Sequence, residues 1–283
     1  MLKKETDHTL IIKKSTALKF INFKEVWEYK DLIYMFLVRD LKGRYKQTAL
    51  GPLWIIIQPI ITTIVYSILL GTMAKFSSEN MNYAVFTYTG LIAWGLFSRT
   101  VNATVTSLSG EIALMAKVYY PRIISVISHT LSGVVDFLVS FAVMFFILWQ
   151  TDTMPSINMI YLPLFVLLIL FCGISVGLWF AGPNVKYRDI TRGIGLGLSL
   201  LQYISPVIYS TTEVMKIIPV KFQYLYYLNP FTFFIEGFRW CVVGTSNFSY
   251  SHTILYSYGV ILILFIGGLY YFKRWERTIV DIQ

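Results

Sequence analysis

The chain has 283 residues, of which 56% are hydrophobic, 17% aromatic and only 14% charged. Soluble domains carry nearer about a quarter charged residues, so this balance excludes an ordinary soluble protein and points to an integral membrane protein. The formal net charge of +9 would suit nucleic acid, but Lys and Arg gather outside the apolar stretches, as membrane topology requires, and no nucleic-acid partner is expected. Cys172 lies in an apolar stretch and Cys241 in a polar one, which argues against a disulfide framework.

Residues 1–19 are polar and lysine-rich and read as a mobile cytoplasmic tail; lacking a continuous apolar core, they do not suggest a cleavable signal peptide. In residues 20–49, Phe23, Trp27, Leu32, Phe36 and Leu37 recur at near-helical spacing among charges such as Glu25, Glu28 and Asp31. That pattern predicts an amphipathic helix too charged to span, lying along the inner membrane surface; a soluble helix packed on another domain is the alternative. The stretch Arg44-Tyr45-Lys46-Gln47-Thr48-Ala49-Leu50-Gly51-Pro52-Leu53-Trp54 then passes from basic to apolar. Arg44 and Lys46 suit anionic headgroups, Tyr45 and Trp54 suit the membrane interface, and Pro52 fixes φ at a value the first turn of a new helix accepts.

Six apolar segments follow, at about 50–74, 84–106, 125–149, 159–181, 193–210 and 253–272, each near the ~20 residues that cross a bilayer. The even number puts both termini on one side. The basic residues before position 47 share that side with Lys117, Arg122, Lys186, Arg188, Arg192, Lys273, Arg274 and Arg277, against only Lys75, Lys216, Lys221 and Arg239 opposite. The positive-inside rule then places the termini in the cytoplasm. The domain reading is a tail (1–19), an interface helix with its approach motif (20–49), a six-helix transmembrane domain (50–272) and a cytoplasmic tail (273–283), all of it α-helical.

Residues 211–252 are too apolar for a solvated loop, and Pro219 and Pro230 cut them into pieces too short to cross. Irregular backbone at membrane depth survives only inside protein or beside a cavity, so re-entrant helices at an outer mouth are expected between the fifth and sixth spans. On the inner side, residues 111–122 and 182–189 are compact, charged and bounded by Pro or Gly; they suit docking surfaces for a cytoplasmic partner, or tight turns.

No Gly-x-x-x-x-Gly-Lys-Ser/Thr loop occurs, so this chain does not cradle ATP by that device. Gly193, Gly195 and Gly197 suit close helix packing rather than phosphate binding. Gly173-Ile174-Ser175-Val176-Gly177 matches a nucleophile elbow, but it lies within an unbroken apolar helix, where small residues for helix packing are the better account. Three scattered histidines (His8, His129, His252) argue against a transition-metal site. Arg99 and Asp136 are ionisable groups inside apolar spans. They sit about 8 and about 11 residues above the inner ends of their helices, so their depths differ by ~5 Å and long side chains can meet. A structural ion pair is the expectation, and a proton or substrate site the alternative.

The approach motif closely resembles that of the membrane subunits of ABC exporters for bacterial surface polysaccharides (O-antigen, capsule or teichoic acid), in which Arg-Tyr-Lys-Gln-Ser and Leu-Gly precede an aromatic residue and a proline. Thr48 stands where Ser is usual. Tyr120-Pro121-Arg122, Tyr187-Arg188-Asp189, Ser205-Pro206-Val207-Ile208-Tyr209 and Asn229-Pro230 with Glu236 and Arg239 resemble further motifs of that family, in order over roughly residues 39–272. The pattern's second proline after Pro121-Arg122 is absent.

The resemblance implies a homodimeric, non-catalytic permease, with ATP and Mg bound by two copies of a separate ATPase and no cofactor in this chain. It implies that Glu25, Glu28, Glu111, Met115, Lys117, Arg122, Lys186, Arg188 and Asp189 meet the ATPase. Arg44, Tyr45 and Lys46 would meet the headgroup of an undecaprenyl-pyrophosphate-linked glycan, or anionic membrane lipid. Since sugar C–H faces stack on aromatic rings, Tyr66, Trp94, Phe97, Tyr203, Tyr209, Phe222 and Tyr224 are candidate channel residues; aromatic belts and packing use the same residue types. Two rivals stand beside this reading. An ion-coupled secondary transporter needs mid-depth carboxylates, of which Asp136 is the clear one; a membrane enzyme needs a catalytic constellation that the sequence does not display.

Overall fold

A computed structural model of the chain describes residues 23–279, apart from 47, 80, 112, 113, 115, 116, 119, 188, 228 and 245–252; for 23–25, 224, 225, 227, 253–256 and 276–279 only the backbone is described. The N-terminal tail, residues 280–283, Met115 and Arg188 thus lie outside the described residues, as do the side chains of Glu25 and Tyr224; residues 273–279 of the expected C-terminal tail instead continue the last helix.

Among the described residues the protein is all-helical. In order it has α1 (Phe23–Glu28), α2 (Lys30–Tyr45), a 3₁₀ turn (Gly51–Leu53), α3 (Trp54–Tyr66) running into a π-helical stretch (Ser67–Met73), α4 (Tyr83–Thr106), α5 (Ile123–Gln150) and a 3₁₀ turn (Ile157–Tyr161) leading into α6 (Leu162–Lys186). Then come α7 (Asp189–Ile204), the short α8 (Thr211–Ile217), α9 (Val220–Tyr227) and α10 (Pro230–Val243), and finally α11 (Thr253–Ile279). The six apolar segments of the sequence fall on helices. Three stretches, Gly51–Met73, Ile123–Gln150 and Ile157–Lys186, are long and apolar enough to cross a membrane.

The helix ends follow local chemistry. The helix that carries Arg44 and Tyr45 stops at Tyr45; the next begins at Gly51, whose φ of +50° suits a residue without Cβ, and at Pro52 within its first turn. α10 opens on a capped Asn229-Pro230: the amide of Phe231 donates to Asn229 Oδ1 at 3.1 Å, and Pro230 needs no donor there. α7 ends at Ile204 rather than running to 210, because Ser205-Pro206 interrupts it.

α4 occupies the centre. Phe86, Tyr88, Phe97 and Val101 on it are wholly buried, and it packs against α5, α6 and α10. The approach of α6 explains Gly173 and Gly177: a Cβ on the first would lie 2.7 Å from the Thr100 side chain, and on the second 2.4 Å from Thr104. Between them Ser175 is fully buried and donates to the carbonyl of Phe171 in its own helix at 2.6 Å. A serine so enclosed is no nucleophile, and the elbow-like pattern is a packing stripe. The glycines of α7 behave otherwise. Added Cβ atoms at Gly193, Gly195 and Gly197 meet nothing within 4 Å, so the close packing expected of them is not made inside the protomer.

Candidate functional site

The densest polar chemistry lies where α2 crosses the start of α5. Side chains four apart share a helix face, so Phe36, Asp40 and Arg44 form one stripe on α2, and His129, Ser132 and Asp136 a matching stripe on α5. Phe36 is 2% exposed and meets the ring of Tyr120 edge-on at 5.6 Å. Next along α2, Arg39 donates to Glu111 in the α4–α5 connection while its guanidinium lies over the Phe36 ring. Asp40 accepts from Ser132 Oγ at 2.5 Å and from Arg44 Nη2 at 2.7 Å. His129 stands between two carboxylates, with Nδ1 3.6 Å from Asp40 Oδ1 and Nε2 3.3 Å from Glu111 Oε1.

The stripe ends on Asp136, only 3% exposed. Tyr45 donates its hydroxyl to Oδ1 at 2.5 Å, Arg44 Nη1 donates to Oδ2 at 3.2 Å, and Arg99 Nη1 from α4 lies 3.6 Å from the same Oδ2. One buried carboxylate thus joins three helices. Burial raises the pKa of the Tyr45 phenol, and its bond to Asp136 raises it further. For Asp40, burial alone would raise the pKa; hydrogen bonds from His129 and Ser132 and the charge of Arg44 outweigh it and hold the carboxyl at about 2.

A cavity of about 570 Å³ opens beside this network, with Asp40, Arg44, Ser109, His129, Asn184 and Thr191 among its lining. Asn184 of the Pro183-Asn184 pair ties its far wall: Nδ2 donates to the carbonyl of Val105 at 3.2 Å and to Ser109 Oγ at 3.1 Å, while Oδ1 accepts from Thr191 at 2.7 Å. The ends of α4, α6 and α7 are thereby held together at the α2 end of the bundle.

The structure sorts the candidate residues. Glu28, Lys117, Lys186 and Asp189 are exposed and Arg122 is half-buried, so this set remains accessible to a partner. Glu111 is not; it is 2% exposed and turned onto Arg39 and His129, which corrects its assignment as a direct partner contact. Of the approach motif, Lys46 is exposed; Arg44 and Tyr45 reach onto α5, while Arg44 keeps 34% of its side chain exposed. Among the aromatics, Phe97 has no exposed surface and Trp94 is 5% exposed, because Phe231 of α10 packs against both. These two belong to the core and do not face a lumen. Tyr203 and Phe222 are exposed, and Tyr66 and Tyr209 partly so.

Arg239, counted from sequence among the outer basic residues, is fully buried. Its Nη2 donates to the Val207 carbonyl at 2.7 Å and its Nε to that of Phe86 at 3.3 Å; Nη1 reaches Glu236 Oε1 at 3.4 Å, and the guanidinium stacks 3.6 Å from the centroid of the Phe86 ring. It pins the break after α7 to α4 and α10. Asp40, His129, Ser132 and Asn184 were missed by sequence reasoning; the spacing of His129, Ser132 and Asp136 on one helix face was the available signal.

An all-helical bundle with, among the described residues, three stretches long and apolar enough to cross a membrane, and with its buried charges spent on one another, has the character of a membrane protein. The chain belongs to the ABC-2 type transporter family, whose sequence profile matches residues 31–243. It is 28% identical over 254 residues to the O-antigen export system permease protein RfbA of Klebsiella pneumoniae, covering 89% of this chain and 95% of that protein. It is also 26% identical over 192 residues to RfbA of Myxococcus xanthus, covering 68% and 73%. With the polysialic acid transport protein KpsM of Escherichia coli it shares 24% identity over 260 residues, covering 89% and 96%.

Proposed function

We propose that this chain is the membrane subunit of an ATP-driven ABC exporter that moves a lipid-linked, O-antigen-like polysaccharide across the cytoplasmic membrane. The observation that carries the reading is similarity along almost the whole chain to permeases named for O-antigen export. A capsular polysaccharide is the second reading, favoured by the near full-length similarity to KpsM. ATP and Mg belong to a separate nucleotide-binding subunit, since this chain has no phosphate-cradling loop. Two such subunits would dock on the exposed charges at 117, 122, 186 and 189 and on Glu28 at the start of the surface helix.

In this reading all six apolar helices cross the membrane, both termini face the cytoplasm by the excess of Lys and Arg at the α2 end, and α8–α10 form the re-entrant outer segment. A second copy of the chain would cover the apolar faces left open on α3 and α7, where Ile61, Ile64, Ile68, Leu196, Leu200 and Ile204 are all more than half exposed. Tyr203 and Phe222 are the exposed rings available to stack on sugars, and Lys46 is the motif's exposed cation for an anionic pyrophosphate or lipid headgroup. An ion-coupled carrier fits less well, because its mid-depth carboxylate, Asp136, is already held by two guanidinium groups and a phenol. In inverted vesicles carrying the chain with its cognate ATPase, glycan translocation should require ATP and survive a protonophore. Translocation by the chain alone, or its loss on collapsing the proton gradient, would overturn the reading.

A further inference from the structure

The approach motif is basic and aromatic, and its two most distinctive side chains both reach a buried carboxylate on α5. Arg44 spends its guanidinium on three acceptors, Asp40, Ser132 and Asp136, and Tyr45 spends its hydroxyl on Asp136. Both oxygens of Asp136 are thereby occupied, and Arg99 adds a second cation beside Oδ2. Arg44 is still about a third exposed and lines the cavity, so the tie to Asp136 leaves part of its guanidinium open to solvent.

The mechanical setting gives the arrangement a purpose. α2 is a rigid rod of 16 residues, about 24 Å long, that is followed by the Gly51-Pro52 break. Asp40 already meets Ser132 and His129 partway along the rod, but these contacts reach α5 alone. The tie at Asp136 instead places the end of the rod directly on the body of α5 and, through Arg99, on the central α4.

We infer that Arg44 and Tyr45 are positioning residues that act through Asp136 to pass movement of α2 into α5 and α4. This rests on the exporter reading above. It names the connection by which work done at the α2 end would reach the spans.

The test uses the complete permease–ATPase complex in proteoliposomes, with the lipid-linked glycan as substrate, and reads ATP hydrolysed per glycan exported together with the apparent KM for the glycan. Asp136→Asn keeps the shape of the side chain but releases Arg44. The expected result is that hydrolysis continues while the ATP cost per glycan rises about tenfold at unchanged KM, the scale of an ordinary allosteric coupling. Asp136→Glu should recover part of the loss. Tyr45→Phe, which deletes a single hydroxyl, should shift the ratio in the same direction and serves if Asp136→Asn does not assemble. A raised KM with an unchanged ratio would make these residues substrate contacts and overturn the inference. A wild-type ratio in Tyr45→Phe, or in both variants, would do the same. Failure of the exporter reading would show separately, as wild-type translocation indifferent to ATP.

Discussion

Replacing Arg239 by methionine should be among the most damaging single changes outside the α2 end. The side chain is fully buried and makes contacts to two carbonyls, to Glu236 and to the face of Phe86. Methionine fills similar space, so little cavity is left behind. The damage comes from the Val207 carbonyl, which loses the donor at 2.7 Å, and from a carboxylate, 6% exposed, deprived of its cation; the Phe86 carbonyl keeps the Thr89 hydroxyl. Breaking a buried ion pair from one side costs about 3–5 kcal/mol, and the lower end is expected in a membrane protein, where the unfolded chain also finds partners. Removing both charges together, as Arg239→Met with Glu236→Gln, should recover most of that loss, leaving a deficit of about 1–2 kcal/mol from the unmet Val207 carbonyl. Unfolding in mixed micelles titrated with SDS, followed by the fluorescence of the chain's 7 tryptophans, reads both values. A single variant that loses less than about 1 kcal/mol, or a double variant as unstable as the single, would refute the claim that this guanidinium pins the break after α7.

Two further outcomes follow from the packing and the charges. Gly177→Ala places a Cβ 2.4 Å from Thr104 and should separate α4 from α6 at a cost of about 1–3 kcal/mol, whereas Ser175→Ala, whose hydroxyl bonds only within its own helix, should stay within about 1 kcal/mol and export normally; the same unfolding assay and a glycan export assay separate the two. Asp40 is held at about 2, below the ordinary carboxylate value, so its contribution is complete above about pH 4 and is lost as pH falls toward 2. With its partial exposure discounted, that contribution is about 1–2 kcal/mol, and Asp40→Asn should remove this part of the acid-induced fall in stability while costing a similar amount at pH 7.

What the sequence revealed and what it hid divide along physical lines. Apolar run length is a property of the chain itself, and all six segments are helical within a few residues of where hydropathy puts them. Depth along a helix is equally local, so counting residues from the helix ends was enough to suggest that Arg99 and Asp136 can meet, and they lie 3.6 Å apart. Lateral neighbours are a different matter. Nothing along α2 says which way Arg44 points, because a guanidinium beside a membrane is served as well by lipid phosphate as by a buried carboxylate; the choice depends on α5 being alongside. Reading α2 by its apolar spacing also hid the stripe that matters, since Asp40 and Arg44 on it are charged and only Phe36 is apolar.

The same ambiguity explains Arg239 and Phe97, and it argues for how such chains should be read. Both residue types are common at membrane interfaces and in pathways, and composition assigns them there by default. Each is instead a packing element with a partner more than a hundred residues away in sequence, Phe86 for the first and Phe231 for the second. A charged side chain among apolar ones is costly unless it is paired, so its presence in an apolar run already implies a partner elsewhere in the chain. In this protein the partners are Asp136 for Arg44 and Arg99, and Glu236 with two backbone carbonyls for Arg239. Each set sits at a place where a helix ends or breaks: the chain before Gly51 at one end of the bundle, and Ser205-Pro206 at the other. Helix breaks leave backbone groups unsatisfied and segments free to shift, and a buried ionic tie is the chemistry that fixes such a segment in one arrangement while still allowing a second.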